Sequence, residues 1–372
     1  MGRQAKLGFF IMAASLLGLS TVVDAQMQAG GAFVPRGVMS FGWAENFVDT
    51  KSMDMPYISG MTAYTGWSSV EKEEGVYDFR ALDQLIGMAK AKGKIINIMF
   101  SPGMHAPEWL YRKGAKAYSW DSDFPEDQWY AQGKSKIIKA PVSWDPVFLD
   151  YWKRFITKIA EKYGSEPAVG YISLTGPVIR GLTATIPVKH EADWRRFLES
   201  GYSEDKMMKA WIDVIDHHYK VLPNKRLVLG LAPDRIGRVD IERSKAMVRY
   251  IMEKKYNNIA FIVVCLNDTW YKRGNLGRGL RDLLRLAKAN GYSFGYQMAQ
   301  SANRNAKWRR KAPIVNNLKD SFAIAIEDGA SWIEVWHDDI IDPAGRAEGR
   351  PNARYVADLR WAHDNLLTGG PR

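Results

Sequence analysis

The chain of 372 residues contains a single cysteine, Cys265. One thiol cannot close a structural disulfide within the chain, so a hydrophobic core must hold the fold, even in an oxidising compartment. Cys265 lies in the apolar run IAFIVVCL, where a buried core position is expected. Beyond the first 25 residues no apolar run is long enough to span a bilayer. No G-x-S-x-G element is present, which removes the serine nucleophile that sits on that turn. No Gly-rich phosphate loop follows the first apolar strand, and no His-x-His follows it either. His337, Asp338 and Asp339 are adjacent, and neighbours on one strand point to opposite faces, so they do not make a ligand set. Neither a metal nor a cofactor is expected.

Acidic residues are outnumbered, 41 against 52 basic, which gives a formal charge of +11. That excess suits an anionic partner such as an acidic polysaccharide or an envelope surface. Much of it, however, falls on helical faces such as Lys153, Arg154 and Lys158, where solvated charge is the common arrangement. The densest basic run, Asn303 to Lys311, holds a tryptophan. Nucleic acid is not an expected partner, because the amino terminus reads as an export signal. Arg3 and Lys6 begin it, Leu7 to Leu19 is an apolar run too short to stay across a bilayer, and Val23, Asp24 and Ala25 fit a small-residue cleavage site. Residues 1–25 are therefore expected to be removed, leaving 26–372 as one domain in the periplasm or outside the cell, without stable membrane insertion. A short anchoring helix is the alternative.

What is present in abundance is a periodic pattern. Eight short apolar runs can be counted: Val38 to Trp43, Ile58 to Tyr64, Ile95 to Phe100, Val169 to Leu174, Leu227 to Ala232, Ile259 to Leu266, Ser293 to Met298 and Trp332 to Trp336. Amphipathic helical patterns separate them: Arg80 to Lys92, Pro146 to Tyr163, Ser203 to Val221, Asp240 to Lys254, Gly277 to Ala289 and Ile314 to Glu327, with a last helix over Asn352 to Leu366. Only the first interval, Ala44 to Tyr57, gives a weak helical pattern. Strand, helix, strand within Met61 to Trp109 is a βαβ unit, which requires a parallel sheet. Eight such runs predict an α/β fold, a (β/α)₈ barrel with extended loops at its carboxyl face; a doubly wound sheet is second. The two long connections, His105 to Asp145 and Gly176 to Ser200, both follow strands and so belong to the carboxyl face, where barrel sites lie.

The chain has 14 tryptophans, and Trp43, Trp67, Trp109, Trp144, Trp270 and Trp336 fall where strands meet loops. A flat indole can stack on the C–H face of a sugar while nearby polar groups bind its hydroxyls. Packing is the competing role, and Trp152, Trp211 and Trp361 are expected to serve it. Acidic residues on the same face are Glu45, Asp234, Asp268, Glu334, Asp338 and Asp339. Glu334 stands out because in WIEVW it shares strand parity with Trp332 and Trp336, inside an otherwise apolar run. A buried glutamate is costly unless paired, so it is either a site residue or half of a structural pair. His217 and His218 sit in a helical pattern and read as surface residues, and Glu71 reads as structural.

The run TGWSSVEKEEGVYDFRALDQLI resembles the second strand and helix of the clan A glycoside hydrolases, above all the catalytic barrel of the family 42 β-galactosidases. SPGMHAPEWL is similar to the loop after their third strand. The likeness covers residues 37 to 175 well and the remainder loosely. It implies a barrel that acts on glycosidic bonds, or descends from enzymes that do. It also implies an Asn-Glu pair at the end of strand four and a nucleophilic glutamate at the end of strand seven. Here strand four reads YISLTGP, offering Thr175 and Gly176, and strand seven reads FGYQM, offering Gln297. Two hypotheses follow. In the first, an exported glycoside hydrolase uses Glu334 with Glu45, Asp268 or Glu191 as the second carboxyl group. Trp43, Trp67, His105, Trp109, Trp144, Arg180, His190, Gln297 and Trp336 would then shape the sugar site. In the second, a catalytically silent barrel binds an envelope or exogenous polysaccharide.

Overall fold

In the computed structural model, eight parallel strands close into a barrel. They are β1 Gly37–Trp43, β2 Gly60–Gly66, β3 Ile95–Ser101, β4 Val169–Leu174, β5 Arg226–Leu231, β6 Ile259–Leu266, β7 Phe294–Met298 and β8 Trp332–Trp336. The structure describes residues 33–44, 51–121, 137–179, 181–183, 186, 191–232, 240–269, 278–302, 315 and 317–369. Each strand pairs with its neighbours in sequence, and β8 closes on β1 through registers such as Met39 opposite Glu334. The expected α/β barrel is thus observed, with the strands in the expected order.

Among the described residues seven long helices surround it: α1 Arg80–Ala91, α2 Pro146–Tyr163, α3 Glu204–Val221, α4 Asp240–Lys254, α5 Arg278–Ala289, α6 Leu318–Glu327 and α7 Val356–Thr368. Their starts are set by local chemistry. The Asp145 carboxylate accepts from the Phe148 N–H at 3.0 Å with Pro146 at the first helical position, and Ser203 and Asn317 accept from Lys206 and Asp320 in the same way. Among the described residues between β1 and β2, the weak pattern gives a 3₁₀ turn, Lys51–Asp54. Among the described residues, none of the helices is long and apolar enough to cross a membrane.

The apolar residues form two shells, as strand alternation requires. The outer shell packs strand faces such as Ile96, Ile98 and Phe100 against the helices. The inner shell fills the barrel with Met39, Phe41, Tyr64, Met99, Tyr171, Val228, Ile262 and Trp332. Trp152 and Trp211 are fully buried, as expected, whereas Trp361 is half-buried with Lys319 over its ring at 5.3 Å.

Two expectations are corrected. His218 is buried, not on the surface, because it shares the inner face of α3 with Trp211, Val214 and Ile215; burial pushes its imidazole down to about 3. Cys265 is only half-buried. A β-bulge between Val263 and Leu266 turns it out of the strand pattern, with φ of 71°. A non-glycine residue in that left-handed region marks a locally strained strand end.

Candidate functional site at the barrel mouth

Inward parity on β2, β3, β4, β7 and β8 brings polar side chains to the barrel axis. Thr62, Asn97, Tyr171 and Glu334 are all fully buried. The Thr62 hydroxyl donates to Glu334 Oε1 at 2.8 Å, the Tyr171 hydroxyl donates to the same oxygen, and the Gln297 amide nitrogen donates to Oε2 at 2.9 Å. Asn97 in turn donates to the Thr62 hydroxyl at 3.1 Å. Strands four and eight lie across the barrel from one another, so Tyr171 reaches over the whole interior. Burial pushes the Glu334 carboxyl up to about 7, against the opposing pull of the donor groups of Tyr171, Gln297, Thr62 and Trp332. Burial, and then the Glu334 carboxyl itself, hold the Tyr171 phenol well above its ordinary value.

Above this network an aromatic arc lines one side of the mouth. Trp336 meets Phe41 edge-on at 4.8 Å, Phe41 meets Tyr64 at 6.2 Å, and Tyr64 meets Trp43 at 4.4 Å. His105 completes the arc, 5.2 Å from Trp43 and 6.3 Å from Tyr64. Trp43, His105 and Trp336 keep part of their surface open, while Phe41 and Tyr64 back them. The Trp336 N–H is committed to the Met298 carbonyl at 3.0 Å, which fixes that ring.

The loop carrying His105 is held by close backbone approach. A Cβ on Gly103 would stand 2.2 Å from the Ile179 carbonyl oxygen, so only glycine lets the β3 loop lie on the β4 loop. The Met104 N–H then donates to that carbonyl at 2.9 Å, and Ser68 donates to the His105 carbonyl at 2.9 Å. His105 Nδ1 pairs with the Ser101 hydroxyl at 2.8 Å, and burial lowers its imidazole to about 4, so the ring is neutral at physiological pH.

The residues proposed from sequence divide accordingly. Glu334, Gln297, Trp43, His105 and Trp336 meet at the mouth or directly beneath it. Trp67 and Trp109 do not. They lie in the outer shell, where Trp67 is packed among Trp109, Trp152 and Phe155 at 5.3–5.7 Å, and both indole N–H groups end on Glu71. Parity explains the correction: Tyr64 and Gly66 face the axis, so Trp67 faces away. Glu71 is structural, accepting from Trp67 at 2.8 Å and from the Gly75 N–H at 2.9 Å. Trp144 joins a separate cluster with Phe197 and Tyr202, at 5.4 and 5.6 Å, on the long carboxyl-face loops. Glu191 opens the helix Glu191–Glu199 and is exposed, and Asp268 is buried just after β6. Asp338 is held by Arg346, and Asp339 accepts from Ser301 at 2.8 Å and the Ala302 N–H at 3.0 Å. Glu45, Arg180, His190, Asp234, Trp270, the basic run 303–311 and the whole segment 1–25 lie outside the described residues.

The counting of strands is confirmed. Thr175 follows β4, buried, with its hydroxyl on the Phe100 carbonyl at 3.0 Å, and Gln297 sits on β7 opposite Glu334 of β8. Phe41, Thr62, Tyr64, Asn97 and Tyr171 were not singled out from sequence as site residues. Thr62, Asn97 and Tyr171 carry the same signal as Glu334, a polar group at inward parity in an apolar strand.

Comparison with known proteins agrees with this architecture. A family model described as Beta-galactosidase, for glycoside hydrolase family 42, matches residues 40–221, just under half of the chain. Among curated proteins there is no match. The chain is similar in structure to the xylanase XynB from Paenibacillus barcinonensis, with 12% identity and a TM-score of 0.51 over 91% of this chain and 96% of that one. It is similar to xylanase 10B from Thermotoga petrophila RKU-1, with 11% identity and a TM-score of 0.51 over 94% and 96%. The beta-galactosidase from Rahnella sp. R3 gives 14% identity and a TM-score of 0.53, over 93% of this chain and 57% of that protein. At these identities the structural likeness concerns the fold.

Proposed function

We propose, from the premise that this chain is a TIM barrel of the clan A glycoside hydrolase type, that it is an exported protein which takes a poly- or oligosaccharide into the mouth of that barrel. The observation that carries this reading is the arc of Trp43, His105 and Trp336 backed by Phe41 and Tyr64. Part-open indole rings offer apolar faces to the C–H surface of a sugar, and the Gln297 amide beside them can meet a hydroxyl.

A glycan panel tests it. It should include β-galactosides and xylo-oligosaccharides, after the relatives, and acidic glycans, after the +11 charge. Trp43→Ala is expected to weaken binding by about tenfold, which is about 1.4 kcal/mol. Loss of no affinity in either Trp43→Ala or Trp336→Ala would remove the mouth as the sugar site. Export predicts that the protein recovered outside the cytoplasm begins near Gln26 on amino-terminal sequencing; a chain still starting at Met1 would overturn it.

A second reading, hydrolysis, is favoured by one observation. A carboxyl group pushed up to about 7 is part-protonated at neutral pH, as a general acid must be. Asp268, Glu45 or Glu191 would then complete the pair. Binding without cleavage stands ahead of it on three observations. Thr175 and Gln297 occupy the ends of strands four and seven, and both Glu334 oxygens are already engaged in a sealed interior. Release of reducing ends that disappears in Glu334→Gln would reverse that order.

A further inference from the structure

The Glu334 network touches the mouth at one point. Glu334, Thr62 and Tyr171 have no exposed surface, whereas Gln297 retains 9%. Gln297 is therefore the member through which the interior can be felt by a ligand. Its amide nitrogen is directed inward, to Glu334 Oε2 at 2.9 Å and beside Met99 Sδ at 3.7 Å.

An ionised carboxylate only accepts, and the Thr62, Tyr171 and Gln297 donors all fit that state. Adding a proton to Glu334 forces one partner to become an acceptor. Oε1 already receives two hydroxyl donors, Thr62 and Tyr171, so the proton belongs on Oε2, which the Gln297 side chain faces. The group facing Oε2 is an amide. Its nitrogen cannot accept, but its oxygen can, so a half-turn about the last side-chain bond satisfies both groups. The groups facing Glu334 are Met39 from β1, Thr62 from β2, Asn97 and Met99 from β3, Tyr171 from β4, Gln297 from β7, and Trp332 on β8 itself. Of these only Tyr171 titrates, far above the range in question.

We propose that Gln297 sets the polar character of the barrel mouth and that Glu334 controls it: ionised, Glu334 holds the amide nitrogen inward and turns the carbonyl oxygen towards the ligand; protonated, it reverses the amide. The mouth then offers an acceptor in one state and a donor in the other. The proton comes from solvent, and no covalent bond other than O–H is made. Because burial places the carboxyl near 7, the reversal falls in the neutral range.

As far as a ligand is concerned, this rests on the saccharide reading above, and the experiment separates the two. In the full chain with ¹⁵N-labelled glutamine side chains, the Gln297 amide is assigned by its disappearance in Gln297→Met. At high pH its protons are expected to show a nuclear Overhauser contact with the Met99 side chain, lost as the pH falls through neutrality. In Glu334→Gln, whose amide copies the protonated acid, that contact should be absent at every pH. If the contact persists at all pH values in the wild type, the Tyr171 or Thr62 hydroxyl rotates instead and the proposal falls. A Glu334→Gln protein that retains the contact overturns it equally. Xylotriose and lactose serve as ligand probes. Where one binds, its affinity should change by about threefold or more between about pH 5 and pH 8 in the wild type and stay flat in Glu334→Gln. If neither probe binds while the contact switches, the proposal holds and the saccharide reading is what fails.

Discussion

Glu334→Ala is expected to cost about 3–5 kcal/mol of folding stability, read from denaturant unfolding at neutral pH. The substitution strips the acceptor from the Tyr171 hydroxyl, the Thr62 hydroxyl and the Gln297 amide at once, in an interior that water does not reach. Each stranded donor costs about 1–3 kcal/mol, and the lost side chain leaves a void between β1 and β7. Tyr171→Phe removes only one donor and leaves Glu334 with two, so it should cost about 1–2 kcal/mol. Because the two residues share a hydrogen bond, the double variant should lose less than the two single losses added together. Additive losses would show that Tyr171 and Glu334 do not act as one network.

The pH dependence of stability gives the second large effect, and its sign is unusual for a carboxylate. Glu334 is raised from 4.5 to about 7 on folding, chiefly by burial. Below the unfolded value both states carry the proton, and the contribution is fully present. Between 4.5 and 7 the unfolded chain releases its proton while the folded chain keeps it, so stability falls, by about 3 kcal/mol in all, and then levels off. Two histidines act oppositely. His105 and His218 are lowered to about 4 and 3, so their contributions are present above 6.5 and are lost as the pH falls through those values. The raw stability profile mixes both signs. The difference between wild type and Glu334→Gln isolates the carboxyl and should decline from about pH 4.5 to pH 7; a flat difference would show that burial does not perturb Glu334.

Much of this protein is legible along the chain because strands and helices write different periods into it. The runs Val169 to Leu174, Ile259 to Leu266 and Trp332 to Trp336 are strands with those bounds, and Pro146 to Tyr163 is a helix with its cap and its proline in place. Glu334 could be singled out for the same reason. A charged residue within an apolar run has nowhere to go but the interior, and parity says which interior.

Parity also held information that adjacency to a loop obscured. Trp43 and Trp67 look alike in sequence, each at the end of a strand. One faces the axis and reaches the mouth; the other faces the helices and is sealed among Trp109, Trp152 and Phe155. The strain at Cys265 has no local cue, since the bulge shows only as a register shift between Val263 and Leu266 where β6 pairs with β7.

The sequence by itself determined the barrel, the number and order of its strands, the likeness to glycoside hydrolases, and the replacement of the expected carboxylates by Thr175 and Gln297. Only the tertiary structure decided which polar residues meet. Thr62, Tyr171, Gln297 and Glu334 stand up to 272 positions apart and become neighbours because barrel closure sets β8 beside β1 and carries β4 to the opposite wall. Periodicity is a property of a few consecutive residues and survives in one dimension. Partnership across a closed barrel depends on strand register and curvature, and these exist only once the ring has shut.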